Sequence, residues 1–193
     1  MMMDDKIAFA EHVLLLDVDF LNGVVEPIRS PQGVGGAEEL PRLDWGTWLS
    51  FLALDAGIKP GKHELQVLLL HREGVDEVAC CRPGKLAEIN GQACQTPVGE
   101  MQFAAVPTAG MTTTEELFVN LLQLALDAKE TGRLLLLPHP ALGGRVVEEL
   151  TELFHDKPAL AAKVAYFALK PDEVTLPCKV DTAFFSLAKA FGL

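Results

Sequence analysis

One segment, from residue 14 to residue 23, reads LLLDVDFLNG and indicates the architecture of the whole chain. It begins in a short, uniformly apolar run, which is typical of a strand buried on both faces of a sheet. The run ends in two carboxylates, Asp17 and Asp19, that are two residues apart. Because ligands of open α/β sheets bind beyond the carboxyl ends of the strands, the stretch predicts both a central strand and the edge at which chemistry is expected.

The second half of the chain alternates between strand and helix patterns. Three apolar runs predict strands, at residues 102–106, 133–137 and 163–169. Three helix starts follow from capping or glycine signals: the capping box of Thr113 and Glu116, the pair Gly143-Gly144, and Asp181. Strands that alternate with helices predict a parallel sheet with right-handed crossovers.

The first half contains one clear helix and two less regular regions. Asp44 is a predicted N-cap, and the apolar residues after it recur at the spacing of one helical face. Between about residues 63 and 97, short extended runs are broken by Pro83-Gly84 and Asn90-Gly91, and Asn-Gly between such runs is a strong hairpin signal. This region predicts an antiparallel meander, and residues 23–43, rich in glycine and proline, predict a long irregular loop.

These patterns together predict a single α/β domain over residues 1–193. Its fold is expected to be a three-layer α/β/α (Rossmann-like) arrangement around a mixed sheet. The sheet would have a parallel core, with the meander at about 63–97 as an insertion.

Composition excludes several classes of partner. The chain has 16 Lys+Arg against 27 Asp+Glu, a formal net charge of −11, and no basic cluster. This charge argues against nucleic acid and against anionic membrane surfaces as partners. No apolar run reaches the ~18–20 residues that cross a bilayer, and the four cysteines form no CxxC pair. We therefore expect a soluble, cytoplasmic protein.

The residues that follow the predicted strands form a candidate site. Asp17 and Asp19 are predicted to share one side of an extended chain, where they repel unless protonation or a cation such as Mg²⁺ relieves them. His139, fixed between two prolines, is a candidate base. Candidate phosphate-binding groups are Thr108, Thr112, Gly143, Gly144 and Lys170. The alternative is that both aspartates merely end a strand and cap a loop.

Two family motifs resemble the opening stretch. LLLDVDF resembles the first motif of the haloacid-dehalogenase-like phosphatases, an apolar strand ending in Asp-x-Asp. The resemblance implies that Asp17 is the nucleophile and Asp19 the acid/base, with Thr108 and Lys170 on the phosphate, although bulky Phe20-Leu21 follows where that motif is compact. The same stretch is similar to the strand-end acid–Asn pattern of PIN/NYN-type nucleases, through Asp17 and Asn22.

Two functions remain open from the sequence. The first is an uncharacterised protein that acts through self-association or partner binding, as a homodimer joined at the exposed edge of the meander. The alternative is a Mg²⁺-dependent phosphate-ester hydrolase that uses Asp17 and Asp19 on an unidentified small molecule. The hydrolase requires Asp17, Asp19, Thr108 and Lys170 to converge in one cleft, whereas the binding protein requires an apolar patch along the meander edge.

Overall fold

The fold was analysed in a computed structural model that describes residues 7–30, 39–170, 172 and 174–193. Within these residues there are nine strands: β1 His12–Asp17, β2 Leu43–Asp44, β3 His63–His71, β4 Cys81–Arg82, β5 Ala93–Thr96, β6 Gly99–Pro107, β7 Arg133–Leu137, β8 Val164–Ala168 and β9 Lys179–Thr182. They also contain seven α-helical segments: α1 Val18–Phe20, α2 Glu26–Arg29, α3 Trp45–Asp55, α4 Leu86–Ile89, α5 Thr114–Asp127, α6 Gly143–Asp156 and α7 Ala183–Phe191. A π-helical turn, Leu21–Val25, joins α1 to α2, and 3₁₀ turns cover Pro140–Leu142 and Pro158–Lys163.

A seven-stranded sheet organises the molecule in the order β5-β6-β3-β1-β7-β8-β9. The six strands from β6 to β9 are parallel, and only β5 is antiparallel to its neighbour β6. β1 lies at the centre, with His12 opposite Leu65 of β3 on one side and Arg133 of β7 on the other. Every residue of β1 is buried, as the uniform apolar run predicted.

Two layers of helices cover the sheet. Leu14 and Leu16 point to the face covered by α3, α7 and the helical segment after β1. Val13 and Leu15 point to the opposite face, which α5 and α6 cover. Side chains alternate between faces with period two, so an apolar run without alternation requires cover on both sides. The three-layer α/β/α prediction with a mixed sheet is confirmed.

The helix starts follow the predicted capping chemistry, with one exception. Asp44 caps α3 by accepting a hydrogen bond from the Thr47 N–H at 2.8 Å, and Thr113 forms a capping box with Glu116 at the start of α5. The prediction that Asp181 caps α7 is wrong. Thr182 is the cap, and Asp181 belongs to β9 because α7 begins one residue later than expected.

The predicted meander at 63–97 is largely wrong. β3 is a parallel strand beside β1, and Leu86–Ile89 is a helical turn (α4) rather than a strand. The antiparallel pairing that remains is that of β5 with β6 and an isolated bridge between Glu77 and Lys85. Asn90-Gly91 links α4 to β5 instead of closing a hairpin between two strands, although Gly91 has the positive φ expected of a tight turn (77°). Turn residues identify a reversal but not the elements that it connects.

The predicted loop at 23–43 is wrong over its first part. The chain turns helical directly after Asp17 and stays so to Arg29 through α1, the π-helical turn and α2. Residues 31–38 of the predicted loop lie outside the described residues. Along the described parts of the chain, no helix is both long and apolar enough to cross a membrane.

Candidate functional site

An open cleft of about 770 Å³ lies at the carboxyl edge of the sheet, over the end of β1. The connections that leave β1 cross to one face of the sheet toward β3, while the later connection through α5 crosses the other face toward β7. Such a topological switch point is where doubly wound sheets bind ligands. The cleft is lined by Asp17, Asp19, Asn22, Gly23, Arg72, Thr113, Thr114, Glu115, His139, Ala141 and Leu142.

Asp17, the last residue of β1, is only 1% exposed at the floor of the cleft. Its Oδ1 accepts a hydrogen bond from the Asp19 N–H at 2.9 Å and so caps the helical segment that follows. Desolvation raises the pKa of Asp17 to about 6, while the Asp19 N–H and the neighbouring His139 act in the opposite direction. A carboxyl with this pKa gains and loses a proton easily near neutral pH.

Asp19 faces Arg72, which follows β3. Arg72 Nε donates to Oδ2 of Asp19 at 2.8 Å, and Nη2 donates to Oδ1 at 3.1 Å, so both carboxylate oxygens are engaged. The hydrogen bonds to Asp19, together with the negative charge of that carboxylate, raise the pKa of Arg72. This ion pair forms one wall of the cleft.

His139 and the start of α5 form the opposite wall. The Ala141 N–H donates to Nδ1 of His139 at 3.0 Å, so the proton of the neutral ring lies on Nε2. A Cβ at position 23 would stand 3.5 Å from Nε2, which places the ring beside Gly23. Thr114 in the first turn of α5 has a buried hydroxyl without a hydrogen-bond partner among the described residues.

Comparison with known proteins places the chain in a family. Residues 6–193 match the model of DUF6621, a family of unknown function. The chain belongs to the DUF6621 family. No curated protein and no solved structure is detectably similar to it. The geometry of the cleft is therefore the basis for assigning a function to this DUF6621 protein.

Three of the predicted catalytic and metal-binding residues, Asp17, Asp19 and His139, come together in this cleft, and Asn22 of the nuclease-like pattern also lines it. They meet because β1 and β7 are neighbours in the sheet and end at the same edge. Sequence reasoning missed Arg72, Thr114 and Glu115. Arg72 directly follows the other neighbour of β1, so knowledge of the strand order would have identified it.

Two of the predicted phosphate ligands lie away from the cleft. Thr108 follows β6, two strands from β1, which is roughly 10 Å at the usual strand spacing. The Thr112 hydroxyl donates to the Glu116 carboxylate at 2.8 Å. Neither side chain is among the cleft-lining residues.

The other three predicted phosphate ligands share a separate depression. Gly143, Gly144 and Lys170 line a space of about 230 Å³ between the start of α6 and the end of β8. A Cβ at position 143 would stand 3.1 Å from the Tyr166 hydroxyl, so close packing accounts for this glycine. The DUF6621 fold thus does not bring Asp17, Asp19, Thr108 and Lys170 into one cleft, as the haloacid-dehalogenase-like arrangement requires.

Arg72 lies beside Asp19, one of the two aspartates whose repulsion was expected from the sequence to be relieved by protonation or by a cation such as Mg²⁺. The guanidinium pairs with Asp19 and stays charged at every physiological pH, so it offsets part of the repulsion between Asp17 and Asp19, although Asp19 still raises the pKa of Asp17. The two aspartates also do not share one side of an extended chain, because the helix begins between them. Within the described ranges, the one group of three potential metal-ligand side chains close enough to share an ion lies at the opposite edge of the sheet.

Proposed function

We propose that the carboxyl-edge cleft binds a small polar molecule and that Asp17 transfers a proton to or from it. The observation that carries this proposal is a carboxyl group buried at the floor of a 770 Å³ cleft, at the switch point of a parallel sheet. Perturbed titratable groups in clefts mark functional sites more often than other positions. Aspartate as the proton carrier makes the protein an acid–base catalyst.

The charges of the cleft favour a neutral or cationic ligand. Asp17, Asp19 and Glu115 supply three carboxylates, while Arg72 donates to Asp19 through Nε and Nη2. Among the described lining residues, these three carboxylates outnumber the one guanidinium, so a phosphate would meet an excess of negative charge. Like charges at close range cost free energy, so phosphate esters fit the cleft less well than polyols, amines or amino acids.

Unpaired polar groups supply ligand contacts around Asp17. The Thr114 hydroxyl is buried without a hydrogen-bond partner in the part of the chain that the structure describes, and the Nε2–H of His139 is a donor beside Gly23. A buried hydroxyl that lacks a hydrogen bond carries a desolvation cost, which a ligand can remove. We propose that these two groups orient the ligand while Asp17 exchanges the proton.

A thermal-shift screen tests the proposal. Polyols, amino acids, amines, nucleosides and sugar phosphates are added singly to the wild type and to Asp17→Asn, in which the amide keeps the capping acceptor. A bound ligand at about 100 times its dissociation constant should raise the wild-type Tm by about 5–10 °C. We expect stabilisation by neutral or cationic compounds and its loss in Asp17→Asn.

The matched control is Asp127→Asn, which removes an exposed carboxylate at the end of α5. It should respond to each compound as the wild type does. The proposal fails if no compound stabilises the wild type or if Asp17→Asn responds equally. Stabilisation by sugar phosphates alone would instead favour the phosphate-ester hydrolase.

Self-association is a second candidate, supported by an exposed aromatic pair. Phe184 and Phe185 at the start of α7 are 45% and 61% exposed, and their ring centroids lie 6.4 Å apart. They adjoin β9, the last strand of the sheet. None of the large exposed apolar side chains in the described residues falls between 63 and 97, where the sequence predicted them. We propose that a homodimer forms through β9 and α7 of two copies, which a solution mass measurement tests.

A further inference from the structure

A second polar cluster lies at the amino edge of the sheet, at the opposite end of β1 from the cleft. It consists of Glu11 just before β1, His12 as the first residue of β1 and His63 as the first residue of β3. One ligand-type atom from each residue lies within 4.8 Å of the other two. The parallel register of β1 and β3 sets His12 opposite Leu65 and thus one pleat from His63, so both imidazoles stand on the same face of neighbouring strands.

His12 is the unusual member of the cluster. It is 8% exposed, and both of its ring nitrogens are buried without a hydrogen-bond partner among the described residues. The great majority of buried polar atoms in folded proteins have a partner, and each exception needs a physical explanation. An imidazole has at least one lone pair when neutral, so a cation at this position would satisfy a nitrogen that the protein leaves unpaired.

Glu11 stands between the two rings. Its Oε1 lies 3.7 Å from Nε2 of His12, and its Oε2 lies 3.8 Å from Nδ1 of His63. These distances are longer than hydrogen bonds, which leaves space among the three groups. The Glu11 carbonyl accepts from the N–H groups of Gly132 and Arg133 at 2.7 and 3.2 Å, so its backbone is held against the neighbouring strand.

We propose that Glu11, His12 and His63 form a binding site for a Zn²⁺-class transition-metal ion. Two imidazoles and one carboxylate are a ligand set that zinc uses, with a fourth position left for water. Nitrogen ligands disfavour Mg²⁺ and Ca²⁺, which prefer oxygen. The site is independent of the proposed function, because it shares no residue with the cleft.

Binding requires a modest contraction of the cluster. Ligand atoms around tetrahedral zinc stand about 3.3 Å apart, given bonds of about 2.0 Å, so the present separations must close. His63 is partly exposed and Glu11 is exposed, so both can move toward the buried His12. Arg133 is the nearby cation that opposes a metal, and its Nη1 donates to the Ala162 carbonyl at 3.0 Å, which holds part of the guanidinium there.

A metal bound here would join the starts of β1 and β3. The two strands are neighbours in the middle of the sheet but are separated in sequence by α1 to α3. An ion that binds only the folded chain stabilises it by mass action. The expected role is therefore structural.

The test uses the whole chain, reduced and freed of metal, titrated with Zn²⁺ by calorimetry and with Co²⁺ by absorption spectroscopy. The variants are His63→Gln and Glu11→Gln, which change residues that are not fully buried and so spare the core. His155→Gln is the matched control, because this histidine lies in the last turn of α6, outside the cluster. We expect one Zn²⁺ per wild-type chain, at least about tenfold weaker binding in each cluster variant, and wild-type affinity in the control.

The Co²⁺ spectrum identifies the ligands. A tetrahedral spectrum without a sulfur-to-cobalt charge-transfer band supports nitrogen and oxygen ligands. A sulfur band would place the ion on the cysteines and overturn the proposal. The proposal is also overturned if the wild type binds no Zn²⁺ or if all four proteins bind it equally.

Discussion

The Asp17 side chain has two roles: it caps a helical segment and it lies at the floor of the cleft. Its Oδ1 caps the helical segment after β1, and its carboxyl lies at the cleft floor where burial raises its pKa to about 6. Asparagine is an equally good helix cap but has no proton to exchange. Substitution by asparagine therefore separates the two roles.

This separation gives a pH-dependent stability difference. A carboxyl whose pKa is higher in the folded protein than in the unfolded chain takes up a proton on folding between the two values. For Asp17 these values are about 6 and 3.8, so its ionisation lowers the free energy of unfolding as the pH rises through this window. The full loss is on the order of 3 kcal/mol.

We therefore expect Asp17→Asn to be more stable than the wild type at pH 7.5, by up to about 3 kcal/mol. Most of this advantage should disappear by pH 4. Urea unfolding at several pH values measures it, with Asp127→Asn as the exposed-carboxylate control. An advantage that is constant with pH would mean that ionisation of Asp17 is not its source.

Some residues of the candidate cleft could be identified from the sequence alone. Asp17, Asp19 and His139 were found because each follows a strand that could be recognised from its own residues. Arg72 has no local signal of its own, because its ion pair with Asp19 depends on β3 lying beside β1. His12 and His63 have no local signal either, because only strand pairing brings them together.

Among the elements, α3 and α7 are joined by a buried polar contact. Trp48 Nε1 donates to Oγ of Ser186 at 3.2 Å, and both residues are 0% exposed. The Ser186 hydroxyl donates in turn to the Ala183 carbonyl at 3.0 Å. A contact of this kind fixes how the two helices pack on the sheet.

Ser186→Ala should lower the free energy of unfolding by about 1–3 kcal/mol, because it leaves the indole N–H buried without an acceptor. Chemical denaturation measures the loss. Thr151→Ala is a suitable comparison, since the Thr151 hydroxyl only bonds back to Val147 on the exposed side of α6 and its removal should change stability little. Equal losses in the two variants would contradict the role given to Ser186.

Elements with a signal in their own sequence were predicted well. β7 was predicted at its observed bounds, and the starts of α3 and α5 were identified by their caps. The segment after Asp17 was missed because an aspartate can end a strand or cap a helix, and the glycine and proline after it favoured a loop. In the structure Pro27 lies in the first turn of α2, where proline is tolerated.

For the whole molecule, the sheet ends at β5 on one side and at β9 on the other. The β9 edge lies beside the exposed pair Phe184 and Phe185. An exposed strand edge next to apolar side chains is a natural pairing surface between copies. The homodimer proposal rests on this edge rather than on the region at 63–97.

Light scattering of the wild type at micromolar concentration should give the mass of a dimer. The double variant Phe184→Ser/Phe185→Ser should give the mass of a monomer. Leu124→Ser, which removes an apolar side chain 50% exposed on α5, should remain dimeric. A monomeric wild type, or a dimer that survives the double change, would refute the proposed surface.

The three-layer architecture could be predicted because burial on both faces of β1, β7 and β8 leaves uniform apolar runs. The direction of β3 relative to its neighbours could not be predicted from the sequence. Its residues favour a strand, but whether a strand runs parallel or antiparallel depends on the path of the chain between strands. That path also decides which residues meet at either edge of the sheet.

The central position of β1 affects how this protein can fold while the ribosome is still making it. Its two neighbours pair through residues 63–71 and 133–137, so the earliest strand of the sheet is completed only late in synthesis. Pairing β1 with β7 closes a long loop, and the entropic cost of closing it slows folding. In a nascent chain that stops before residue 133, β1 lacks its partner β7, so one edge of this apolar strand is unpaired. Unpaired apolar strands of this kind pair with other chains and cause aggregation.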